Sequence, residues 1–196
     1  MGTDEDGFAQ ALLAARQGSL TGLPSLFREF HPSLLRYLRA CEPRLADDLA
    51  GETWLAVTQR INMFEGDQQA FGSWLFTIAR HRLMDFRRSS SRREPPATAR
   101  ISSANVAPTA EQAALDNVSA QDSVDLIVRL VSIDQAEVIL LRVLGDLSLA
   151  QIARVMDRDV TWVGVTLHRG LKRLASRLGN RSLLADRAQI AVLRAG

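Results

Sequence analysis

The chain is short of the residues that build disulfide and metal scaffolds. Its 196 residues include one cysteine, Cys41, and three histidines, His31, His81 and His168. A single thiol forms no disulfide framework within the chain, and four Cys or His ligands for a structural zinc do not lie close together in the sequence. The sequence therefore predicts no metal, no cofactor and a reducing, cytoplasmic compartment.

Long apolar runs and targeting signals are also missing. Apolar stretches such as residues 138–141 are interrupted by charge well before the ~18 residues that a membrane span requires. The first six residues include three acids and no cation, whereas a signal peptide begins with cations. The composition, 46% hydrophobic and 23% charged, is that of a globular protein. We expect a soluble protein without membrane insertion.

Charge is plentiful but unevenly distributed, which the net charge of +2 hides. Residues 80–100 hold seven Arg against two acids, and residues 142–181 hold eight cations against three acids. The intervening residues 101–141 hold six acids against one Arg. Two basic blocks separated by an acidic one suit two contacts with a polyanion. Two solvated helix faces would give the same counts, so charge alone leaves both readings open.

Apolar residues recur at helical spacing through most of the chain, without a strand-like alternation of useful length. Between about residues 89 and 123 this pattern is lost in a segment rich in Ser, Pro, Ala and Asn, which is typical of a linker. The predicted fold class is therefore all-α, with two small helical domains joined by a flexible linker. Their predicted bounds are residues 1–93 and 124–180, with an acidic linker at 94–123 and a tail at 181–196.

Two short helices are expected after the linker. Asp134 is a good N-cap for a helix over residues 135–144, and Gly145 ends that helix. Ser148 and Gln151 have the spacing of a capping box, which opens a second short helix.

A turn at residues 157–159 leads to a longer helix, which Thr161 is expected to cap. Its apolar residues recur from Val163 to Leu178, while most of its cations fall on other faces. This is the pattern of a helix-turn-helix, whose second helix fits a major groove about 12 Å wide. Any helical hairpin with a polar outer face shows the same periodicity, so the pattern alone leaves DNA binding open.

Aromatic and cationic residues alternate just before the linker. Five of the chain's eleven aromatic residues fall between Phe64 and Phe86, and arginines follow directly. Such a surface suits single-stranded nucleic acid, because bases stack on aromatic rings at ~1 to 3 kcal/mol each and guanidinium groups hold the backbone. The helical spacing of these rings equally predicts burial, and for Trp74 we favour the core.

Four stretches of the sequence resemble one protein family. Residues 47–54 (DDLAGETW) and 71–85 (FGSWLFTIARHRLMD) are similar to regions 2.2 to 2.4 of extracytoplasmic-function (ECF) sigma factors, which belong to the sigma-70 family. Residues 147–153 (LSLAQIA) and 167–174 (LHRGLKRL) resemble region 4 of the same family, in the right order and at the right distance. The gap between them has no room for a typical region 3 domain.

The resemblance implies an RNA polymerase sigma factor rather than an enzyme. Its implied partners are promoter DNA and core RNA polymerase, through the clamp helices of the largest subunit and the flap of the second-largest subunit. Members of the family melt and recognise the minus-10 element with regions 2.3 and 2.4 and read the minus-35 element with region 4. An anti-sigma factor usually holds such proteins inactive. The acidic linker resembles the segment that threads toward the polymerase active-site cleft.

The residues that match these functions form three sets. The implied polymerase contacts are Asp47, Asp48, Glu52 and Trp54. The implied minus-10 contacts are Phe64, Trp74, Arg80, His81, Arg82, Arg87 and Arg88. The implied minus-35 contacts are Trp162, Thr166, His168, Arg169, Lys172 and Arg173. Acids at a helix N-terminus also suit the helix dipole, and His81 with Asp85 has the spacing of an ordinary surface pair.

Two departures from the family pattern affect these sets. Gly51 stands where the family usually carries Gln, and glycine weakens a helix interior by ~1 kcal/mol relative to Ala, so an unusual polymerase affinity is expected. Gly164, Val165 and Thr166 stand where relatives commonly carry cations and small polar residues. Each lost phosphate contact lowers the salt dependence of DNA binding, so we expect weak binding or recognition through methyl contacts.

Two other classes of function compete with a sigma factor. A helix-turn-helix regulator with an N-terminal interaction domain would bind a palindromic site without polymerase. An enzyme would need a phosphate-binding loop, clustered metal ligands or a nucleophile with its base, and the sequence shows none of these patterns.

Overall fold

A computed structural model describes the chain over residues 3–19, 21–93 and 127–178, and within these ranges the secondary structure is helical without a strand. This confirms the all-α prediction. The helices are α1 (Thr3–Arg16), α2 (Gly22–Cys41), α3 (Ala46–Arg60), α4 (Gln68–Arg93), α5 (Ile133–Val143), α6 (Leu149–Met156) and α7 (Val160–Leu178), with a 3-10 turn at Ile61–Met63 and a helical turn at residues 127–130. The predicted linker (94–123) and tail (181–196) lie outside the described residues, so the domain bounds stay a prediction.

Helices α1 to α4 form what we call the first lobe. α2 supplies much of its core by burying Leu26, Leu34, Tyr37 and Leu38 along one side. α1 crosses α2 at Gly22 so closely that a β-carbon there would lie 2.6 Å from the carbonyl carbon of Ala14. Short turns at residues 17–19, 42–45 and 64–67 separate these helices, and Gly18 and Gly66 have the positive φ that glycine adopts without strain.

Helices α5 to α7 form the second lobe, and side-chain caps fix where each helix begins. The capping box predicted for Ser148 and Gln151 is present at the start of α6. The cap of α5 was predicted wrongly at Asp134, since Ser132 and Gln135 form a capping box two residues earlier. Asp134 instead lies in the first turn of α5, where its charge suits the helix dipole.

The cap of α7 was also predicted two residues too late. Oδ1 of Asp159 accepts a hydrogen bond from the backbone nitrogen of Trp162 at 2.7 Å, and α7 begins at Val160. Thr161 therefore lies inside the helix, with an exposed side chain. The physical reason is that the turn begins at Asp157, whose left-handed backbone (φ 53°) ends α6 and leaves Asp159 facing the free N–H groups of α7.

The two lobes pack directly against each other and share one hydrophobic core. Helix α4 of the first lobe lies against α6 of the second, and α2 contacts α5. At this seam a β-carbon on Gly145 would lie 3.0 Å from the ring of Phe76. Nε2 of Gln151 donates a hydrogen bond of 3.0 Å to the carbonyl oxygen of Gln69 across the same seam. We call this arrangement, in which the two lobes pack against each other, the closed chain.

Candidate nucleic-acid interface

The aromatic residues expected at the minus-10 element lie at the N-terminal end of α4. Phe64 precedes the helix, is only 7% exposed and packs edge-on against Phe71 with 5.4 Å between ring centroids. Trp74 lies 5.0 Å from Phe64 and is half-buried, so it packs against the core while part of its ring stays at the surface. Of these two rings, Trp74 is the one already exposed enough to stack on a base.

Arg80 lies on the side of α4 that faces the second lobe. Its Nε donates to Oε1 of Glu137 on α5 at 3.0 Å, and the two side chains are 16% and 3% exposed. The hydroxyl of Tyr37 donates to the same carboxylate oxygen at 2.9 Å. Burial raises the pKa of Tyr37 well above its ordinary value, with smaller contributions from Cys41 and Glu137, so Tyr37 remains a neutral donor.

Arg87 shares this inward side of α4, seven residues after Arg80. Its Nη2 donates to the carbonyl oxygen of Cys41 at 3.0 Å, which ties α4 to the end of α2. Both arginines of the inward side are therefore engaged by groups of the protein itself.

The remaining predicted minus-10 cations point elsewhere on α4. His81 and Arg88 are exposed and, seven residues apart, share an outward face, while Arg82 is half-buried. Arg88 pairs with Asp85 at 3.4 Å on the surface, and such exposed pairs contribute little to stability. The structure thus divides the predicted minus-10 cations. His81 and Arg88 face outward, Arg80 and Arg87 face inward, and Arg82 is intermediate.

The predicted minus-35 residues are brought together on α7. Four of them are exposed and lie at i, i+4 spacing on neighbouring rows of the helix: His168, Arg169, Lys172 and Arg173. The opposite side is buried in the second lobe through Val163, Leu167 and Leu174. Because α6 and α7 are joined by a tight turn and α7 keeps this face open, the arrangement is that of a helix-turn-helix with a free recognition helix.

The first turns of α7 are apolar, at positions where the resemblance implies cations in other members of the family. Val160 and Val165 are 48% and 42% exposed, and a β-carbon on Gly164 would meet open space. Trp162 is half-buried, and the guanidinium of Arg158 lies over its ring at 5.5 Å from the centroid. This end of α7 offers methyl groups and an aromatic ring to a ligand.

The acidic residues predicted to contact polymerase lie on one exposed side of α3. Asp47, Asp48 and Glu52 are all exposed, with Gly51 exposed between them. Asp47 pairs with Arg39 of α2 at 3.4 Å, and its side chain is still 75% exposed. Trp54 is different, since it is only 7% exposed and belongs to the core.

Sequence reasoning did not single out Phe27, which covers Trp54. Phe27 is 41% exposed, stacks on His31 at 4.2 Å and lies 5.1 Å from the ring of Trp54. Burial lowers the pKa of His31 below its ordinary value, against the opposing effect of Asp47. The i, i+4 spacing of Phe27 and His31 is the signal that the sequence carries for this pair.

Glu137 was also missed. It is the one charged residue in the buried run of α5 that extends from Ala136 to Leu141. A carboxylate that is buried needs partners, so a lone acid in an apolar helix face is a signal of a contact made elsewhere in the fold.

The part of the chain that the structure describes lacks two other kinds of feature. In that part no group of three or more His, Cys, Asp or Glu residues is arranged to hold a metal ion. Nor does any helix there combine the length and the apolar character needed to cross a membrane.

Comparison with known proteins finds matches for both lobes. The family profile described as Sigma-70 region 2 matches residues 26–93, and the profile described as Sigma-70, region 4 matches residues 121–174. These matches coincide with the exposed features of α3 and α4 and with the helix-turn-helix of α6 and α7, respectively.

Several curated proteins are similar over most of the chain. The ECF RNA polymerase sigma factor BldN of Streptomyces coelicolor is 32% identical over 164 residues, which is 82% of this chain and 62% of BldN. ShbA of Streptomyces griseus is 29% identical over 89% of this chain and 97% of its own length. SigD of Mycobacterium tuberculosis is 27% identical over 80% of this chain and 77% of its own length. The chain thus spans less than two thirds of BldN.

Solved structures share the fold at lower identity. CnrH in complex with the cytosolic domain of CnrY has a TM-score of 0.59 and 18% identity, over 86% of this chain and 94% of that chain. The sigma factor RpoE of Bartonella quintana in complex with the anti-sigma factor NepR has a TM-score of 0.60 and 19% identity, over 81% and 97%.

Proposed function

This chain belongs to the ECF group of the sigma-70 family, and from that premise we propose that it binds core RNA polymerase and directs promoter-specific transcription initiation. The observation that carries the proposal is the presence, on one chain, of an aromatic and cationic helix in the stretch matched by region 2 and of a free cationic recognition helix in the stretch matched by region 4. A regulator that used only its helix-turn-helix would not need the first of these surfaces.

In the proposal, α7 reads the minus-35 element as duplex DNA. Arg169 and Lys172 are suited to phosphates or guanine edges, since their exposed side chains project from the helix that would enter the major groove. The apolar start of α7, with Val165 exposed, is suited to thymine methyl groups. Trp162, Thr166, His168 and Arg173 complete this surface.

The first lobe would capture the minus-10 element as single strand. Trp74 would stack on an unpaired base, and His81 and Arg88 would hold the backbone from the outward face of α4. Unstacking a base step costs a few kcal/mol, comparable with one or two such stacking contacts plus neutralised phosphates. No chemical step by this chain is needed. Phe64, Arg80 and Arg87 are buried or engaged in the closed chain and would join after local rearrangement. Arg82, which is half-buried, would add a further cation.

The acidic side of α3 would dock on the clamp helices of the largest polymerase subunit. Asp47, Asp48 and Glu52 suit a basic partner because all three carboxylates are exposed. Trp54 would support this surface from the core rather than touch the partner in the closed chain, with Phe27 as the exposed ring above it. The flap of the second-largest subunit would bind the second lobe.

An anti-sigma factor is part of the proposal. It is supported by the solved relative RpoE, which is bound to the anti-sigma factor NepR, and by the fold that this chain shares with it. A partner that covers α4 or the acidic side of α3 would keep the chain from polymerase and DNA.

Reconstitution with core RNA polymerase tests the proposal. We expect the purified chain to bind core enzyme and to produce discrete, promoter-dependent transcripts from genomic fragments, whereas core enzyme alone yields none. The isolated chain should bind intact promoter duplex poorly, because the bases that the first lobe would hold are paired. A palindromic footprint by the isolated chain, without polymerase, would favour the regulator instead.

A further inference from the structure

One ion pair joins the two lobes and occupies a predicted DNA contact. Nε of Arg80 on α4 donates to Oε1 of Glu137 on α5 at 3.0 Å, and Tyr37 on α2 donates to the same oxygen at 2.9 Å. Arg80 and Glu137 are 57 positions apart in the sequence and lie in different lobes. The pair therefore exists only while the lobes are closed on each other.

The carboxylate of Glu137 takes the place that nucleic acid would take. A guanidinium uses the same N–H donors for a carboxylate oxygen and for a phosphate oxygen. With 16% of its side chain exposed, Arg80 has no room for a second large ligand while Glu137 holds it. Closure and use of Arg80 by DNA are thus mutually exclusive.

The pair is suited to reversible closure rather than to permanent stability. The free-energy cost of removing two charges from water offsets most of the energy of their mutual attraction, even in a buried site. Oε2 of Glu137 is buried and has no hydrogen-bond partner among the described residues, so only one of its oxygens is satisfied. An opening that hydrates this carboxylate recovers part of the desolvation cost.

We infer that Glu137 is a latch: it holds the two lobes closed through Arg80, and its release frees Arg80 for promoter DNA. Tyr37 is a positioning residue in this latch, because its hydroxyl fixes the oxygen that Arg80 contacts. The role of Arg80 after release rests on the function proposed above, whereas the closure itself does not.

The single cysteine of the chain reports on opening without any engineered label. Cys41 lines a small cavity at the seam together with Arg87 and Glu137. Burial raises the pKa of Cys41 to about 12, with a smaller contribution from the charge of Glu137, so its thiol reacts slowly while the lobes are closed. An aromatic disulfide reagent, whose reaction with the thiolate releases one chromophoric thiolate, measures this rate in the full-length chain.

Replacement of the carboxylate by its neutral isostere is the primary test. We expect Glu137→Gln to raise the rate of Cys41 modification about tenfold, because removal of one partner of a buried pair leaves the other charge uncompensated. The charge of Glu137 also raises the pKa of Cys41, so Arg80→Gln, which breaks the pair and keeps that charge, should raise the rate by as much. Glu65→Gln, which removes an equal charge from an exposed turn, should leave the rate unchanged. An unchanged rate in folded Glu137→Gln protein would overturn the latch.

A double-mutant comparison separates the latch from general destabilisation. If Glu137 acts through Arg80, Glu137→Gln should change the rate by less than about twofold in an Arg80→Gln background. A full tenfold effect in that background would overturn the inference. Should Glu137→Gln fail to fold, Tyr37→Phe keeps both charges and removes the hydroxyl that donates to Glu137. That hydroxyl also lowers the pKa of Cys41, so its loss by itself would slow the thiol reaction rather than speed it. An increase of about threefold in the rate would then support the latch, and no change would overturn it.

Transcription distinguishes failure of the latch from failure of the proposed function. In reconstituted holoenzyme, Glu137→Gln should reach half-maximal promoter-dependent transcription at a chain concentration lower by about tenfold, which is the population shift expected from the thiol result. Faster thiol reaction with no transcript from any variant would contradict the proposed function and leave the closure standing. Normal transcription with unchanged thiol rates would overturn the latch alone.

Discussion

At the scale of single residues, the contribution of an ion pair to stability depends on how exposed its side chains are to solvent. The pair between Arg39 and Asp47 has side chains 47% and 75% exposed and is expected to contribute little to stability. The pair between Arg80 and Glu137 is nearly excluded from solvent, so loss of one partner leaves a charge with nothing to compensate it. Substitutions at the two sites should therefore differ strongly in their effect on stability, more than the difference between the two distances, 3.4 and 3.0 Å, would suggest.

His31 should make stability depend on pH. Its pKa is lowered from 6.5 by burial, and its Nδ1 is buried without a hydrogen-bond partner among the described residues. The unfolded chain therefore takes up a proton near pH 6.5 that the folded chain resists, so the stabilising effect is present above that pH and is lost as the pH falls below it. Urea unfolding at about pH 7.5 and about pH 5.5 measures the difference.

Histidine variants isolate this contribution from the titration of carboxylates. His31→Gln should lose less stability than the unmodified chain between the two pH values. His168→Gln removes an exposed histidine from α7 and should keep the unmodified pH dependence. An equal pH dependence in all three proteins would show that His31 is not responsible.

Arg169 should contribute to promoter affinity through a phosphate. Arg169→Ala in reconstituted holoenzyme is expected to lower the slope of log affinity against log salt by about 0.9, since one counterion fewer is released on binding. The slope is measured from promoter-binding titrations over a range of salt concentrations. Arg60→Ala removes an exposed cation from the end of α3 and should leave the slope unchanged. A similar loss of slope in both variants would argue against a specific contact by Arg169.

At the scale of elements, the ends of the helices are fixed by single side chains. Asp159→Ala should destabilise the protein by about 1 kcal/mol, because it removes the oxygen that caps α7. Thr161→Ala, two residues later on an exposed position of the same helix, should change stability by less than about 0.5 kcal/mol. Chemical denaturation of the two variants decides which residue is the cap, and a larger loss at Thr161 would contradict the structure.

The same elements show how far a single sequence predicts local structure. The capping box at Ser148 was predicted because Gln151 follows at the spacing that the motif requires, and the helix itself is short and amphipathic. The sequence placed the caps of α5 and α7 two residues too late, because several good capping residues lie close together at the start of each helix. Which one acts depends on the turn before it, and that turn is set by packing rather than by the local sequence.

At the scale of the whole molecule, the packing of the lobes could not be predicted. Helical periodicity is a local property and showed which faces of α4 and α7 are apolar, so the exposed surface of α7 was found from sequence. It carries no information on which buried surfaces meet across a linker. The inward arginines of α4 were therefore assigned to DNA together with the outward cations, although Arg80 contacts Glu137 in the closed chain.

The closed arrangement leaves the residues predicted to contact polymerase and promoter DNA in two states, accessible and engaged. The acidic side of α3 and the exposed face of α7 are accessible in the closed chain, whereas Arg80 and Arg87 are engaged within it. Initial contact through the accessible surfaces would then precede opening, and opening would complete the surface for single-stranded DNA. Under the proposed function, the order of these contacts would follow from which residues are buried.

Permanganate footprinting of a mapped promoter tests most directly whether the chain directs promoter opening together with core polymerase. Permanganate oxidises thymines that are unpaired and unstacked, so it reports strand opening at the minus-10 element. With core polymerase and the full chain together, we expect reactive thymines there that are absent with either component alone, and we expect Trp74→Ala to reduce their reactivity. A holoenzyme that binds the promoter and leaves every thymine near the start site unreactive would contradict the role proposed for this chain.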